Sequence, residues 1–164
     1  MRNEDGIVEI ERKFWIQSLP DLPEVSSSDV DQGYLCTTPV EVRIRRRRDR
    51  LTGWNRYQLC VKSVGVLSRN EVETDLLQEQ FEELAGMLDQ PLIHKEYHAY
   101  RLEDGNLLEC SIVDHGAFSY AEVEFPSEEA ALSWKPLSWL GEETTYQKGV
   151  SMREYWETRR AKTE

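Results

Sequence analysis

The sequence predicts a mainly β chain of the α+β class, in which eight antiparallel strands form a closed or nearly closed barrel with helices packed outside. Extended segments with alternating apolar residues far outnumber helical ones, and no internal repeat or long linker divides the 164 residues. A third observation is the regular placement of charge on one face of these segments. We therefore expect a single domain over residues 1–164.

Alternation of polar and apolar residues marks eight expected strands. They are 7–16, 32–37, 40–48, 56–64, 70–75, 92–102, 107–114 and 119–125. The turn-rich tetrapeptide Glu103–Asn106 predicts a hairpin between the sixth and seventh strands. Residues Asp21–Asp31, with Pro23 and three consecutive serines, predict a surface loop.

Three segments have helical periodicity instead. Residues 75–88 repeat large apolar side chains at helical spacing, and residues 127–134 begin at Ser127, a favourable N-cap. Residues 149–161 place Met152, Tyr155 and Trp156 on one stripe. That stripe is compatible with a homodimer interface and equally with packing on the barrel.

The composition restricts the class of partner and the compartment. A net charge of −11 repels nucleic acid and anionic membranes unless positive charge is gathered in one place. The four-arginine run 45–48 does not gather it, because alternate residues of a strand point to opposite faces. No apolar segment at the N-terminus resembles a signal peptide, and three scattered cysteines predict core thiols in a reducing cytosol. We expect a cytoplasmic protein that binds neither nucleic acid nor membranes.

The charged faces of the strands are more regular than solvent exposure requires. They contain Glu9, Glu11 and Lys13, then Glu41, Arg43, Arg45 and Arg47, then Lys62, Glu71, Glu73, Lys95, Glu109, Glu122 and Glu124. Two arrangements explain the pattern. One is a sheet with a solvated charged side, which the pattern alone favours. The other is a barrel lined by the charges, with its apolar outer face under the helices.

The chemistry of the charges supports a lined barrel. Glu9 and Glu11, like Glu122 and Glu124, are same-face carboxylates about 6.6 Å apart along a strand. Two such pairs can converge on a hard divalent cation, because Mg²⁺ and Mn²⁺ prefer oxygen ligands. The cationic residues on the same faces are Lys13, Arg43, Arg45, Lys62 and Lys95. Carboxylates that hold a metal beside several cations suit a polyphosphate.

An ordered set of motifs resembles a known family. The first strand reads Glu-Ile-Glu-Arg-Lys-Phe over 9–14, an ExExK signature. It is followed in order by Gln32–Leu35, Val42–Arg45, Val61–Ser63, Leu67–Glu71, Ala121–Phe125 and Gly141–Glu143. Over about residues 7–148 the chain resembles the CYTH superfamily, the triphosphate tunnel metalloenzymes, and in length its small bacterial inorganic tripolyphosphatases.

The resemblance implies an eight-stranded tunnel, a triphosphate substrate and a Mg²⁺ or Mn²⁺ cofactor. It implies metal binding by Glu9, Glu11, Glu122 and Glu124, with Glu71, Glu73 and Glu109 tuning the lining or binding metal through water. It implies phosphate binding by Lys13, Arg43, Arg45, Lys62, Lys95 and Lys148. Its implied catalytic residues are Lys13, Tyr34 and Lys95, with Lys13 and Tyr34 activating the attacking water.

The chain departs from the family pattern in two strands. Tyr97 stands where the family commonly has an arginine after Lys95, and Ser111 stands where it commonly has an aspartate after Glu109. Residues 144–149 reproduce the family's late segment only in part. Three functions therefore stay open: hydrolysis of a small triphosphate, inorganic tripolyphosphate first; use of ATP, by a nucleoside triphosphatase or a class IV adenylyl cyclase; and a catalytically impaired polyphosphate-binding module.

Overall fold

The computed structural model describes residues 8–163, with side chains to residue 159. The strands are β1 (Val8–Trp15), β2 (Glu24–Cys36), β3 (Glu41–Asp49), β4 (Asn55–Lys62), β5 (Ser68–Asp75), β6 (Ile93–Arg101), β7 (Leu107–Val113) and β8 (Phe118–Glu124). The helices are α1 (Gln78–Gly86), α2 (Glu128–Ser133) and α3 (Met152–Thr163).

The eight strands form a closed barrel in the order β1-β5-β4-β3-β2-β6-β7-β8, and every neighbouring pair is antiparallel. This confirms the predicted fold class. Closure satisfies the backbone hydrogen bonds of each strand on both sides, which an open sheet cannot do at its edges. Among the described helices, none is long and apolar enough to cross a bilayer.

The expected surface loop over Asp21–Asp31 is wrong for most of its length, because β2 begins at Glu24. Its backbone pairs with β3 on one side and β6 on the other. Ser28 and Val30 are buried by these neighbours, at 4% and 0% exposure. The serines indicated a loop by composition, but a strand that is paired on both sides tolerates small polar side chains.

The apolar faces of the strands point outward and are covered by the helices and the segments that connect them. Leu108, Val123 and Phe125 are at most 2% exposed, and the outer cluster that contains them includes Ala131 of α2 and, partly buried, Trp134. The rings of Phe125 and Trp134 lie 5.5 Å apart. Of the two arrangements that the sequence left open, the structure has the barrel lined by charge.

The helices meet the barrel at different places. In α1 only Phe81 is buried, against Tyr57, with ring centroids 5.4 Å apart. In α2 the side chain of Ser127 accepts a hydrogen bond from the Ala130 amide at 3.1 Å, which confirms the predicted N-cap. In α3 the apolar stripe packs on the barrel through Met152 and Trp156. Because this stripe packs on the barrel, it gives no support to a homodimer, which stays a prediction.

Candidate active site in a charged tunnel

A tunnel of about 430 Å³ runs inside the barrel, and all eight strands line it. Alternation along each strand decides which side chains enter it, because successive residues point to opposite faces. Eleven residues singled out from the sequence for metal, substrate or catalysis line the tunnel: Glu9, Glu11, Lys13, Tyr34, Arg43, Arg45, Lys62, Lys95, Glu109, Glu122 and Glu124. Their roles stay predictions, but their placement in one cavity is observed.

Lys148 is the exception among these residues. It is exposed and lines an adjoining cavity of about 300 Å³ rather than the tunnel itself. The two cavities share Glu11, Lys13 and Arg69 as lining residues, so they meet at one end of the barrel. Lys148 therefore lies outside the tunnel, beside one of its ends.

Strand register brings the carboxylates of β1, β7 and β8 together. Glu11 is opposite Glu124, and Glu122 is opposite both Lys13 on β1 and Glu109 on β7. Removal from water raises the pKa of Glu11 well above its usual range, and the negative charge of Glu122 adds to this effect. Desolvation opposes ionisation of Glu122 too, but a hydrogen bond from Glu11 and the charge of Lys13 hold its pKa at about 2. Glu11 is therefore the member of this pair that holds a proton more readily, and Glu122 is the one that ionises more readily.

Lys62 joins two further carboxylates. Its Nζ lies 2.8 Å from Oε1 of Glu9 and 3.4 Å from Oε2 of Glu71. Burial alone would raise the pKa of Glu9, but the Lys62 ammonium outweighs it and holds that pKa well below its usual range. Burial and a hydrogen bond with Glu9 raise the pKa of Glu71 to about 7. Arg69, which sequence reasoning missed, also faces Glu9 at 3.6 Å and Glu41 at 3.0 Å.

The cations of β3 and β6 have a different environment. Among the described residues, no carboxylate lies within ion-pair distance of Arg43, Arg45, Arg47 or Lys95. Arg45 donates to Oε1 of Gln32 at 3.3 Å, and Lys95 donates to the hydroxyl of Tyr120 at 3.1 Å. The Arg47 guanidinium lies 4.3 Å from the ring centroid of Tyr97. All of these partners are neutral.

These four cations, Arg43, Arg45, Arg47 and Lys95, are called the basic wall below. Burial opposes the charged form of Arg43, but the nearby Tyr34, Cys60 and carboxylates outweigh it and raise its pKa, whereas Arg45 and Lys95 are destabilised as cations. Burial lowers the pKa of Arg45 to about 10, and its two arginine neighbours add to the effect. Burial and the nearby Arg45 hold the pKa of Lys95 well below its usual range. The Nε atoms of Arg43 and Arg45 are sealed from solvent and donate to no acceptor within the described part of the chain. Such a cluster is costly alone and is relieved by a multivalent anion.

The tyrosine beside Lys13 is not the expected one. Lys13 Nζ lies 4.1 Å from the ring centroid of Tyr120, whose hydroxyl accepts from Lys95. Tyr34 lines the tunnel beside Arg43 and packs on Trp156, with ring centroids 6.0 Å apart. Tyr120 stands two residues before Glu122 on the same strand face, so alternation alone could have identified it.

The two departures from the family pattern meet in the tunnel wall. Tyr97 donates a hydrogen bond from its hydroxyl to Oε1 of Glu109 at 2.5 Å, while Arg47 covers its ring. Ser111, 3% exposed, lies opposite Tyr97 on one side and Tyr120 on the other. Arg47, the third arginine on the inner face of β3, therefore lies beside the position in β6 where the family commonly has an arginine. Glu109 already accepts a hydrogen bond from the Tyr97 hydroxyl.

Three lining residues come from outside the strands. Arg153 of α3 lines the tunnel, and its Nε lies 3.9 Å from Oε1 of Glu41. The neighbouring Ser151 and Met152 line the same end. No alternation signal could place them there, because their position depends on how α3 docks on the barrel.

Comparisons with known proteins agree with this architecture, although no family model matches the chain. The chain is 35% identical over 144 residues to the inorganic triphosphatase of Nitrosomonas europaea, which covers 87% of this chain and 92% of that protein. The crystal structure of the inorganic triphosphatase NE1496 superposes with a TM-score of 0.64 at 31% identity, over 90% of this chain and 93% of that one. The PH1819 protein of Pyrococcus horikoshii shares the fold, with a TM-score of 0.62 at 18% identity over 95% of this chain and 100% of that one. The chain belongs to the triphosphate tunnel metalloenzymes of the CYTH superfamily, the family of this inorganic triphosphatase.

Proposed function

We propose that this protein hydrolyses a small linear triphosphate, inorganic tripolyphosphate first, inside the tunnel and with the help of a divalent metal. The observation that carries the proposal is the basic wall. Arg45, Arg47 and Lys95 contact neutral partners, and Arg43 lines the same cavity, which also holds a cluster of carboxylates. The relative named inorganic triphosphatase supports the choice of substrate.

The basic wall binds the phosphate chain. Arginine guanidinium groups donate in a planar fork that matches phosphate oxygens, so Arg43, Arg45 and Arg47 suit successive phosphoryl groups along β3. Lys95 adds a point charge from β6. Binding removes the repulsion among these cations, and their fixed positions avoid reorganisation when charge develops in the transition state.

The carboxylates of β1 and β8 fit a hard divalent cation. Glu9, Glu11, Glu122 and Glu124 supply only oxygen donors and line the same cavity. Mg²⁺ or Mn²⁺ held there would act as a Lewis acid on the phosphoryl oxygens. Glu109 contributes less directly, because the Tyr97 hydroxyl occupies one of its oxygens.

Lys13 lies between the basic wall and the carboxylates of β1 and β8. Its Nζ is 4.0 Å from Oε1 of Glu122 and lies over the ring of Tyr120. From there it orients the attacking water, with Tyr120 in the role that the resemblance gave to Tyr34. Hydrolysis forms one bond from the water oxygen to phosphorus and breaks one phosphoanhydride bond, which releases orthophosphate and diphosphate.

The decisive experiment follows phosphate release from tripolyphosphate with Mg²⁺ or Mn²⁺, for wild type and for Glu9→Gln/Glu11→Gln. ATP and thiamine triphosphate are assayed beside it. We expect metal-dependent release that is greatest with tripolyphosphate and collapses in the variant. Release of cyclic AMP and pyrophosphate from ATP would instead establish a cyclase.

A binding module remains the second candidate function, since Tyr97 and Ser111 replace two charged residues of the family pattern. Folded protein that binds tripolyphosphate and releases no phosphate with either metal would establish it. We also propose a cytoplasmic location, because all three cysteines are free thiols.

A further inference from the structure

A second group of metal-ligating side chains lies in the wall between β4 and β5. Cys60, Glu71 and Glu73 each place one ligand atom so that all three atoms are within 4.8 Å of one another. The strand register sets this arrangement: Cys60 is directly opposite Glu73, and Lys62 is directly opposite Glu71. The group therefore depends on backbone pairing rather than on long flexible side chains.

Cys60 differs from the other two cysteines in its surroundings. Cys110 is fully buried in the outer apolar cluster, and the Cys36 thiol donates to a backbone carbonyl 2.9 Å away. Cys60 is 4% exposed and faces charged groups, with Arg43, Lys62, Glu71 and Glu73 all acting on its thiol. In the described part of the chain that thiol makes no hydrogen bond. Together with Glu71 and Glu73, this thiol could offer a metal ion one sulfur and two carboxylate ligands.

The group adjoins the carboxylates of β1 and β8 through Glu71, which is hydrogen-bonded with Glu9, but its other two ligands lie outside that cluster. The Lys62 ammonium stands between the two groups, at 2.8 Å from Glu9 and 3.4 Å from Glu71. The donor sets also differ, because only this one includes sulfur. Thiolate ligands select soft or borderline cations such as Zn²⁺ over Mg²⁺.

We propose that Cys60, Glu71 and Glu73 bind a thiophilic divalent cation, with Zn²⁺ as the reference ion, at a site distinct from the hard-metal cluster. Tetrahedral Zn²⁺ places a sulfur and an oxygen ligand about 3.6 Å apart. Displacements of about 1 Å at the ends of the side chains therefore bring the three ligand atoms to the distances that the ion requires. When all three ligands are ionised they carry three negative charges, one more than the two positive charges of Arg43 and Lys62. Three protein ligands leave the fourth position of a tetrahedral ion for water.

The site is proton-linked. Burial raises the pKa of the Cys60 thiol, and the metal must displace its proton to bind. Affinity for Zn²⁺ therefore increases with pH. This inference does not depend on the proposed hydrolysis, since a protein without any triphosphatase activity would still bind the ion.

The test is a Co²⁺ titration followed by absorption, because a thiolate ligand gives an intense near-ultraviolet charge-transfer band that oxygen ligands do not give. We expect the band in wild type, in Cys36→Ser and in Glu9→Gln/Glu11→Gln, and its loss on addition of Zn²⁺. Cys60→Ser should abolish it. Absence of the band in wild type, or its persistence in Cys60→Ser, would overturn the proposal.

A second variant covers the case in which Cys60→Ser does not fold. Glu71→Gln/Glu73→Gln keeps the thiol and removes both carboxylates, and we expect at least a tenfold weaker Co²⁺ affinity by the same band. Unchanged affinity in that variant would contradict the three-ligand site. Loss of phosphate release in Glu9→Gln/Glu11→Gln, with the band retained, separates this site from the hard-metal cluster.

Discussion

The two walls of the tunnel are both charged, but only one of them is neutralised by the protein itself. The acidic wall, defined as Glu9, Glu11, Glu71, Glu122 and Glu124, is partly neutralised by ion pairs with Lys62 and Arg69. In the described part of the chain, Arg45, Lys95 and Arg47 of the basic wall contact an amide, a phenol hydroxyl and an aromatic ring, respectively, and form no ion pair. This difference is the one that the proposed binding of an anion on one side and a cation on the other requires.

The largest effect is expected when charge on the basic wall is reversed. Arg45→Glu places a carboxylate where a phosphoryl group should bind, so kcat/KM for tripolyphosphate should fall by more than about 10³-fold. Arg46→Glu is the matched control, because Arg46 lies on the outer face of the same strand and pairs with Asp31 at 2.7 Å. Steady-state phosphate release measures both. Equal losses in the two variants would contradict the assignment of the basic wall.

The acidic wall should govern the metal requirement. Glu11→Gln removes one oxygen ligand, so the Mg²⁺ concentration for half-maximal rate should rise and kcat should fall by about 10²-fold. Glu103→Gln, on the exposed hairpin, is the control. The measurement is a Mg²⁺ titration at saturating tripolyphosphate. An unchanged Mg²⁺ dependence would exclude Glu11 as a ligand.

The acidic wall should also make stability depend on pH when no metal is present. The pKa of Glu71 is about 7 in the fold against an ordinary value of 4.5, so the folded state binds more protons than the unfolded state between these values. Its contribution is therefore complete below about pH 4.5 and is lost as pH rises through 7, at a cost of about 1–3 kcal/mol. Thermal unfolding of wild type and Glu71→Gln should show the variant gaining relative stability from pH 5 to pH 8. A constant difference would contradict the raised pKa.

The smallest expected effect concerns Tyr97. Tyr97→Leu removes the ring beneath Arg47, so KM should rise about threefold to tenfold, in line with the loss of one cation–π contact. Tyr97→Phe keeps the ring and removes only the hydroxyl that donates to Glu109, and it should restore KM to near the wild-type value. Equal KM values for the two variants would show that the ring does not position Arg47.

Much of the tunnel could be predicted because strand alternation is a local property. Once Ile10 and Phe14 are assigned to an apolar face, Glu9, Glu11 and Lys13 must share the other face. The same logic placed the glutamates of β8 and the arginines of β3. It left undecided whether that face met solvent or a lumen, because closure depends on which strands become neighbours.

Other features depend on contacts between distant parts of the chain. Arg153 enters the tunnel only because α3 docks at one end of the barrel. The polar half of β2 was mistaken for a loop, since its pairing with β3 and β6 is not encoded in its composition. Tyr120 and Tyr97 resemble ordinary strand aromatics in sequence. Alternation places Tyr120 on the inner face, but its contact with Lys13 and that of Tyr97 with Arg47 depend on the order of the strands in the barrel.

The most direct test of the account separates binding from turnover. Tripolyphosphate binding is measured by calorimetry in EDTA, and phosphate release is measured with Mg²⁺, for wild type, Arg45→Gln and Glu11→Gln. We predict that Arg45→Gln loses affinity for tripolyphosphate, whereas Glu11→Gln retains it and loses turnover. Retained affinity in Arg45→Gln, or an equal loss of affinity in both variants, would contradict the division of the tunnel into an anion-binding wall and a metal-binding wall.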